Sequence, residues 1–539
     1  MRYARIAASS VLFGLALSIT GCGDGEEQAS VSDRAADEVA TATGQASDPE
    51  GCTSERVGGS LTFGDFRSPT SLDPAGPNTA SGVVGGAAMA AIFDVLVRYD
   101  AESGTFVPQV AESLTSNEDA SEWTLKLRPG IRFGNGDPLD AAAVVASVGR
   151  FRDPAVRSAR AAVVETNIAE IRTPDDLTVV FALTGPWGSF PWFLAGEGGM
   201  VVNTKVAKDL GEAFTLLPKG AGVGPYEPVK YAPNEDIVLQ AKPDYWGGPV
   251  CVQSLRFVRF AGGAATYDAL RTGSLDVGFL REPAVIADAR DDEQELHLEY
   301  VSLGQEFQIN ARPGMPGADV RVRRAIALAV DPTQLDQRVN QGDGQPTKAI
   351  IGPGSRWYDG LDGPAYDSTA AKTLLQDVLA EGEYDGALRL LATDTPTGSA
   401  TAQALQAMLN SVGFKVTLDL QTNTQQKTLA GDFDINAGAS NLTDAAPYIA
   451  AFRYTSTNRS NIGQFKDPAY DTAVDRLKRA TTDDETKAAL AALQTVVDEA
   501  VPTVPWAATE EAIVSSPKVR GLKYTQATVT LFDDAYVVN

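Results

Sequence analysis

The chain has 539 residues, one His, three Cys and a formal net charge of −25 at pH 7, with 43% hydrophobic and 21% charged residues. That length holds several domain-sized units, and the composition is that of a globular chain with a full core. The acidic balance argues against nucleic acid as a partner, because phosphate binding needs clustered Lys and Arg. A single histidine argues against His-built metal sites and Ser–His–Asp catalysis, and three cysteines cannot build a disulfide-rich scaffold.

The first element is an address. Arg2 and Arg5 precede an apolar stretch over residues 6–19, too short for a comfortable membrane span, which runs into Ile19-Thr20-Gly21-Cys22. This resembles a bacterial lipobox, with residues 1–21 as signal peptide and Cys22 as the lipidated first residue of the mature chain; the alternative is an ordinary cleaved signal peptide with a chance cysteine. Residues 23–50 contain no aromatic residue and are rich in small and polar ones, so 22–57 reads as a flexible tether. With Cys22 lipidated, Cys52 and Cys251 remain as a pair. Parity and an exported, oxidising compartment predict a disulfide between them, against two independent buried thiols.

Strand-like runs follow at 60–63, at 123–127 (WTLKL, ending at Pro129-Gly130), at 177–181, at 252–260 and at 415–420. His297, after the acidic run 288–295, reads as an exposed residue at a helix end or strand start. Helical patterns interleave with the strands. Residues 320–330 place Val322, Ile326, Ala329 and Val330 on one face, with Asp319 as cap and Arg321, Arg323 and Arg324 on a solvated face. Residues 402–412 stop at Gly413, and 471–480 and 484–500 are two further amphipathic helices, the second closed by Pro502. The alternation is that of an α/β chain with antiparallel content.

A series of short motifs in register carries a resemblance: Ser71-Leu72-Asp73-Pro74; 92–100 (IFDVLVRYD); 107–113 (VPQVAES); 123–133 (WTLKLRPGIRF); Asn135-Gly136-Asp137-Pro138-Leu139; Gly224-Pro225-Tyr226; 244–248 (DYWGG); 321–331 (RVRRAIALAVD); and 467–471 (DPAYD). The chain resembles the bacterial ABC-transporter solute-binding proteins that take oligopeptides, dipeptides, nickel chelates and related solutes, over about residues 58–539. Most of these motifs are tight turns with an aromatic anchor, and so speak for fold more than for ligand.

The resemblance implies a two-lobed α/β binding-protein fold. Lobe one would span 58–262 with the returning segment 507–539, and lobe two 263–506. A hinge is expected at Ala261-Gly262-Gly263-Ala264 and a return at 506–510, with ligand held between the lobes. It also implies ligand-facing segments. Peptide binders of the family pair the ligand's amine with an aspartate four residues before a proline. Here that position is Thr443, and Asp444 stands one residue late in the segment that includes Ser440, Asn441 and Pro447. Arg356 and Trp357 lie in a loop that faces the cleft in relatives and would take a carboxylate and apolar surface. Asn78 and Ser81 are weaker candidates from lobe one. The implied partners are a small solute, a peptide first among candidates, an ABC permease with its ATPase, and the membrane through the lipid on Cys22. The chain would act as a monomer with no cofactor and no catalysis. The alternatives are a secreted peptide or ester hydrolase, and a sensor or chaperone on the same fold.

Overall fold

The computed structural model describes residues 51–77, 84–231, 235–260, 262–459 and 461–538. The proposed signal peptide, Cys22, most of the proposed tether, Asn78 and Ser81 lie outside the described residues.

The strands in chain order are β1 (Ser60–Asp65), β2 (Val97–Asp100), β3 (Thr105–Pro108), β4 (Ala111–Ser116), β5 (Glu122–Leu127), β6 (Ile168–Asp175), β7 (Thr178–Leu183), β8 (Tyr226–Lys230), β9 (Ile237–Ala241), β10 (Ser254–Arg259), β11 (Val277–Leu280), β12 (Glu295–Ile309), β13 (Gln345–Pro346), β14 (Ala387–Thr393), β15 (Lys415–Gln421), β16 (Ile435–Gly438), β17 (Leu442–Thr443) and β18 (Thr503–Ser515). The period-two runs read from the sequence are β5, β7 and β15, and their alternation does the work expected of it. In β5, Leu125 and Leu127 are buried while Lys126 between them is exposed.

One mixed sheet runs β15-β14-β16-β12-β18-β11-β1-β10-β9-β8, with β13 on β18 and β17 on β12. A separate antiparallel sheet, β4-β5-β7-β6, forms the outer part of lobe one. β12 and β18 are antiparallel and long enough to belong to both lobes. Glu295 to Val301 pair with Ser515 to Thr509, the register then breaks, and Gln305 to Gln308 pair with Ala507 to Thr503. At the break Leu303 has φ 52°, the left-handed region that a residue with a Cβ seldom adopts.

Residues 263–301, assigned to lobe two from the sequence, pack on lobe one. β11 pairs with β1, and the helices Gly263–Arg271 and Pro283–Asp291 share an apolar cluster with the lobe-one half of β18. Gly262 and Gly263 are small for another reason. Gly263 N–H donates to the Glu282 carboxylate at 3.1 Å, and a Cβ there would lie 2.2 Å from the other carboxylate oxygen. The chain leaves lobe one at 302–304, and the partner strand breaks register opposite, at 507–509.

The expected helices appear as Val320–Ala329, Pro396–Val412, Pro468–Arg479 and Asp483–Ala500, with Asp319 capping the first by accepting from Arg321 N–H. Arg323 departs from the solvated reading. It is buried and donates to the carbonyls of Ala500, Val501 and Gly317, so it closes the open C-terminal end of the helix Asp483–Ala500. His297 also differs. It sits inside β12, stacked on Tyr524 with ring centroids 3.8 Å apart, and burial lowers its pKa to about 4, so it is neutral at physiological pH.

Cys52 and Cys251 are disulfide-bonded, with Cα atoms 5.7 Å apart. The bond draws residues 51–57, read from the sequence as the end of the tether, onto the folded body. Cys52 N–H donates to Asp534, and the Arg56 guanidinium lies over the Tyr536 ring.

Candidate functional site at the lobe junction

Lobe one brings the β2–β3 hairpin, the end of β1, the lobe-one halves of β12 and β18, and the turn 525–528 to the junction. Lobe two brings the loop 352–358 and the loop 439–446. Gly85 N–H and Phe66 N–H donate to Asp65 at the end of β1, while burial pushes that carboxyl up to about 7. The turn 525–528 is fixed from several sides. Tyr99 N–H donates to Thr525 Oγ1, the Gln526 amide donates to the Trp192 carbonyl, and Thr528 N–H donates to Glu299 at 2.6 Å.

In lobe two, three of the expected residues, Arg356, Trp357 and Asp444, form one unit with Ser355. Ser355 Oγ donates to one oxygen of Asp444, Arg356 N–H donates to the other at 3.1 Å, and Trp357 Nε1 donates to the Asp444 carbonyl at 2.9 Å. Asp444 is therefore the anchor of the 355–357 loop, and burial raises its pKa. Arg356 stacks on Trp357 at 4.5 Å and pairs with Asp483 at 2.6 Å. Its other arm crosses the junction, donating to the Gly104 carbonyl in the β2–β3 turn at 2.9 Å. Trp357 is buried in an apolar cluster that draws residues from both lobes.

The remaining expected residues take other places. Ser440 Oγ donates to Glu306, a wholly buried carboxylate that also accepts from Tyr454, Gln308 and Thr503. Thr443 pairs with Val301 as part of β17. Asn441 is exposed, with φ 51°, and its N–H faces the carbonyl of Leu303, the other left-handed residue at the register break.

Residues that sequence reasoning missed complete the junction. Tyr99 of β2 feels the charges of Asp444, Arg356 and Glu299, and burial pushes its hydroxyl up to about 12. Glu299 and Glu511 face each other across β12 and β18. Burial and the adjacent Glu511 push Glu299 up to about 8, and burial raises Glu511 as well. One signal for Glu511 was present: two consecutive acids, Glu510 and Glu511, interrupt an otherwise apolar strand. A second junction contact lies in the outer part of lobe one. Gly188 N–H donates to the Lys478 carbonyl at 3.1 Å, and Trp187 meets the ring of Tyr448 at 5.8 Å.

Two lobes joined by a broken pair of long strands, with polar groups converging on the seam, are the architecture of a solute-binding protein. The profile of the bacterial extracellular solute-binding proteins, family 5, matches residues 105–461. The chain belongs to that family, whose members work outside the cytoplasm. Among curated proteins it is similar to the probable D,D-dipeptide-binding periplasmic protein DdpA of Escherichia coli, 26% identical, covering 69% of this chain and 73% of that one. Among solved structures, Haemophilus influenzae OppA in complex with the peptide RPPGFSPFR superposes with a TM-score of 0.74 at 20% identity, covering 89% of this chain and 99% of that one. The binding protein AgaA of Agrobacterium tumefaciens, in complex with agropinic acid, gives a TM-score of 0.72 at 25% identity, covering 89% and 99%.

Proposed function

We propose that this protein is the receptor of an ABC importer, held at the outer face of the cell membrane by lipid on Cys22. It encloses a small solute between its lobes and presents it to a permease served by an ATPase. A short peptide is the first choice of solute, supported by the peptide-binding names of the relatives; the agropinic acid complex of AgaA supports an opine-like compound as the second. The observation that carries the reading is the β12–β18 pair, a two-strand bridge with a built-in register break on which one lobe can turn against the other.

Arg356 is the residue we assign to a solute carboxylate. Its guanidinium already bridges the lobes, and exchanging the Gly104 carbonyl or Asp483 for a carboxylate keeps a charge-assisted bond. Asp444 holds Arg356 in place and is not assigned to an amine. A hydrolase would need a nucleophile beside a base, and the one histidine is stacked in a strand on Tyr524.

Native mass spectrometry of the purified full chain tests this reading. A co-purified solute is expected, and its mass separates peptide from opine; released cleavage products instead of intact solute would overturn the receptor in favour of the hydrolase. Cys22→Ala is expected to move the protein from the membrane fraction to the soluble one, and retention of that variant on membranes would overturn the lipid anchor.

A further inference from the structure

Side-chain parity along β18 fixes which way its two acids point. Ile513 packs with the helix Gly86–Phe93 and the returning C-terminal segment, whereas Ala512 and Val514 pack with the helices of the opposite layer. Glu510 shares the second face and pairs with Arg290 at 2.7 Å. Glu511 shares the face of Ile513. At its level β11 has already ended at Leu280, so Glu511 stands beyond the carboxyl end of the parallel strands β1 and β11, where α/β sheets open a crevice.

Glu511 is only 6% exposed, and among the described residues no group donates a hydrogen bond to it or forms an ion pair with it. Arg281, at the end of β11, favours its charge through space without pairing. Glu299, directly opposite, accepts from Thr528 N–H and has no cation within pairing distance among the described residues. The other charged or titratable groups acting on this face are Asp444 and Arg356 of lobe two and Tyr99 of β2. A nearly buried carboxyl with no donor is costly unless it takes up a proton or a counter-ion.

We propose that Glu511, with Glu299 beside it, seats a positively charged group of the solute, an ammonium or a guanidinium, at the hinge end of the cleft. The proposal rests on solute capture between the lobes and adds the charge class of the solute. Its geometry complements Arg356: a zwitterion would lie with its cation on the hinge strands of lobe one and its carboxylate on lobe two. The raised pKa values agree with it, since burial holds both carboxyls up and Glu511 adds to the rise at Glu299, and a cation between them favours both charges.

The test incubates the full chain with an equimolar panel read by native mass spectrometry. The panel holds dipeptides with free amino termini, the same dipeptides N-acetylated, and N-acetylated dipeptides carrying lysine or arginine. The wild type is expected to retain only species with a positive group. Retention of the free-amine set alone assigns the subsite to the α-ammonium, and retention of the acetylated lysine or arginine set assigns it to a side chain. Glu511→Gln, which keeps the shape, is expected to cut that retention about ten-fold or more, while Glu510→Gln, on the other face, leaves it unchanged. Calorimetry at pH 7 in buffers of different ionisation enthalpy is expected to show proton release on binding, because Glu299, held up to about 8 by burial and Glu511, ionises when the cation arrives. Equal retention of acetylated neutral dipeptides, or undiminished retention by Glu511→Gln, would overturn the subsite and leave solute capture standing. Retention of nothing from the panel by the wild type would overturn the subsite and the peptide as solute together, leaving the opine-like solute.

Discussion

At the scale of single residues, Asp444 shows how a side chain chosen for one chemistry can serve another. A carboxylate near the family's amine-binding position invites an electrostatic role, but both its oxygens receive donors from its own lobe. Removing it strands Ser355 Oγ and Arg356 N–H and releases the guanidinium that spans the lobes. Asp444→Ala is therefore expected to destabilise the protein by about 1–3 kcal/mol, the cost of leaving buried donors unpaired. Denaturant melts read this directly, and an unchanged midpoint would refute the anchoring role. Arg323 teaches the same lesson: a basic residue off the apolar stripe of a helix reads as solvated, and only the neighbouring helix end, with its open carbonyls, explains its burial.

At the scale of elements, a close backbone approach between the lobes depends on a glycine. The Gly188 N–H meets the Lys478 carbonyl, and a Cβ on Gly188 would lie 1.9 Å from the Ala480 carbonyl oxygen and 3.3 Å from Thr481 Cα. Both obstacles are backbone, so neither can swing aside. Gly188→Ala is expected to prop the lobes apart, weakening solute binding about ten-fold or more, equivalent to about 1.4 kcal/mol, while leaving the melting of each lobe's core unchanged. Solution scattering with and without solute checks it, and a variant that compacts as fully as the wild type would refute it. The elements themselves were largely legible in the sequence, because β5, β15 and the helices Val320–Ala329 and Asp483–Ala500 bury one face each and carry the period of that face. Glycine marks close approach as readily as bending. Gly263 gives room to Glu282, while the register break lies at Leu303, a residue without conformational licence, where the two long strands hold it.

At the scale of the whole molecule, the disulfide ties Cys52 to Cys251, 199 positions later. Long closed loops restrict the unfolded chain most, and loss of such a bridge typically costs about 2–5 kcal/mol. The double variant Cys52→Ser with Cys251→Ser is expected to melt lower while binding solute with unchanged affinity, because the bridge packs beside Asp534 and Pro249, not at the lobe junction. Equal melting temperatures for variant and wild type would show that the bridge carries no stability.

What the sequence determined by itself was local or combinatorial: the fold class from motifs in register, the helix and strand periods, the Cys52–Cys251 pairing from parity and compartment, and the grouping of Arg356 with Trp357. These follow from composition and short-range order, which a chain carries whether folded or not. Only the tertiary structure decided which charges end up without partners. Glu511 and Glu510 are neighbours of the same type, yet strand parity gives Glu510 an arginine and places Glu511 on the opposite face of the sheet, nearly buried. That difference depends on register across β12, β18 and β11, with Glu299 of β12 set opposite Glu511 of β18 from a distant part of the chain. Pairwise burial over such separations is a property of the assembled sheet, and no window along the chain contains it.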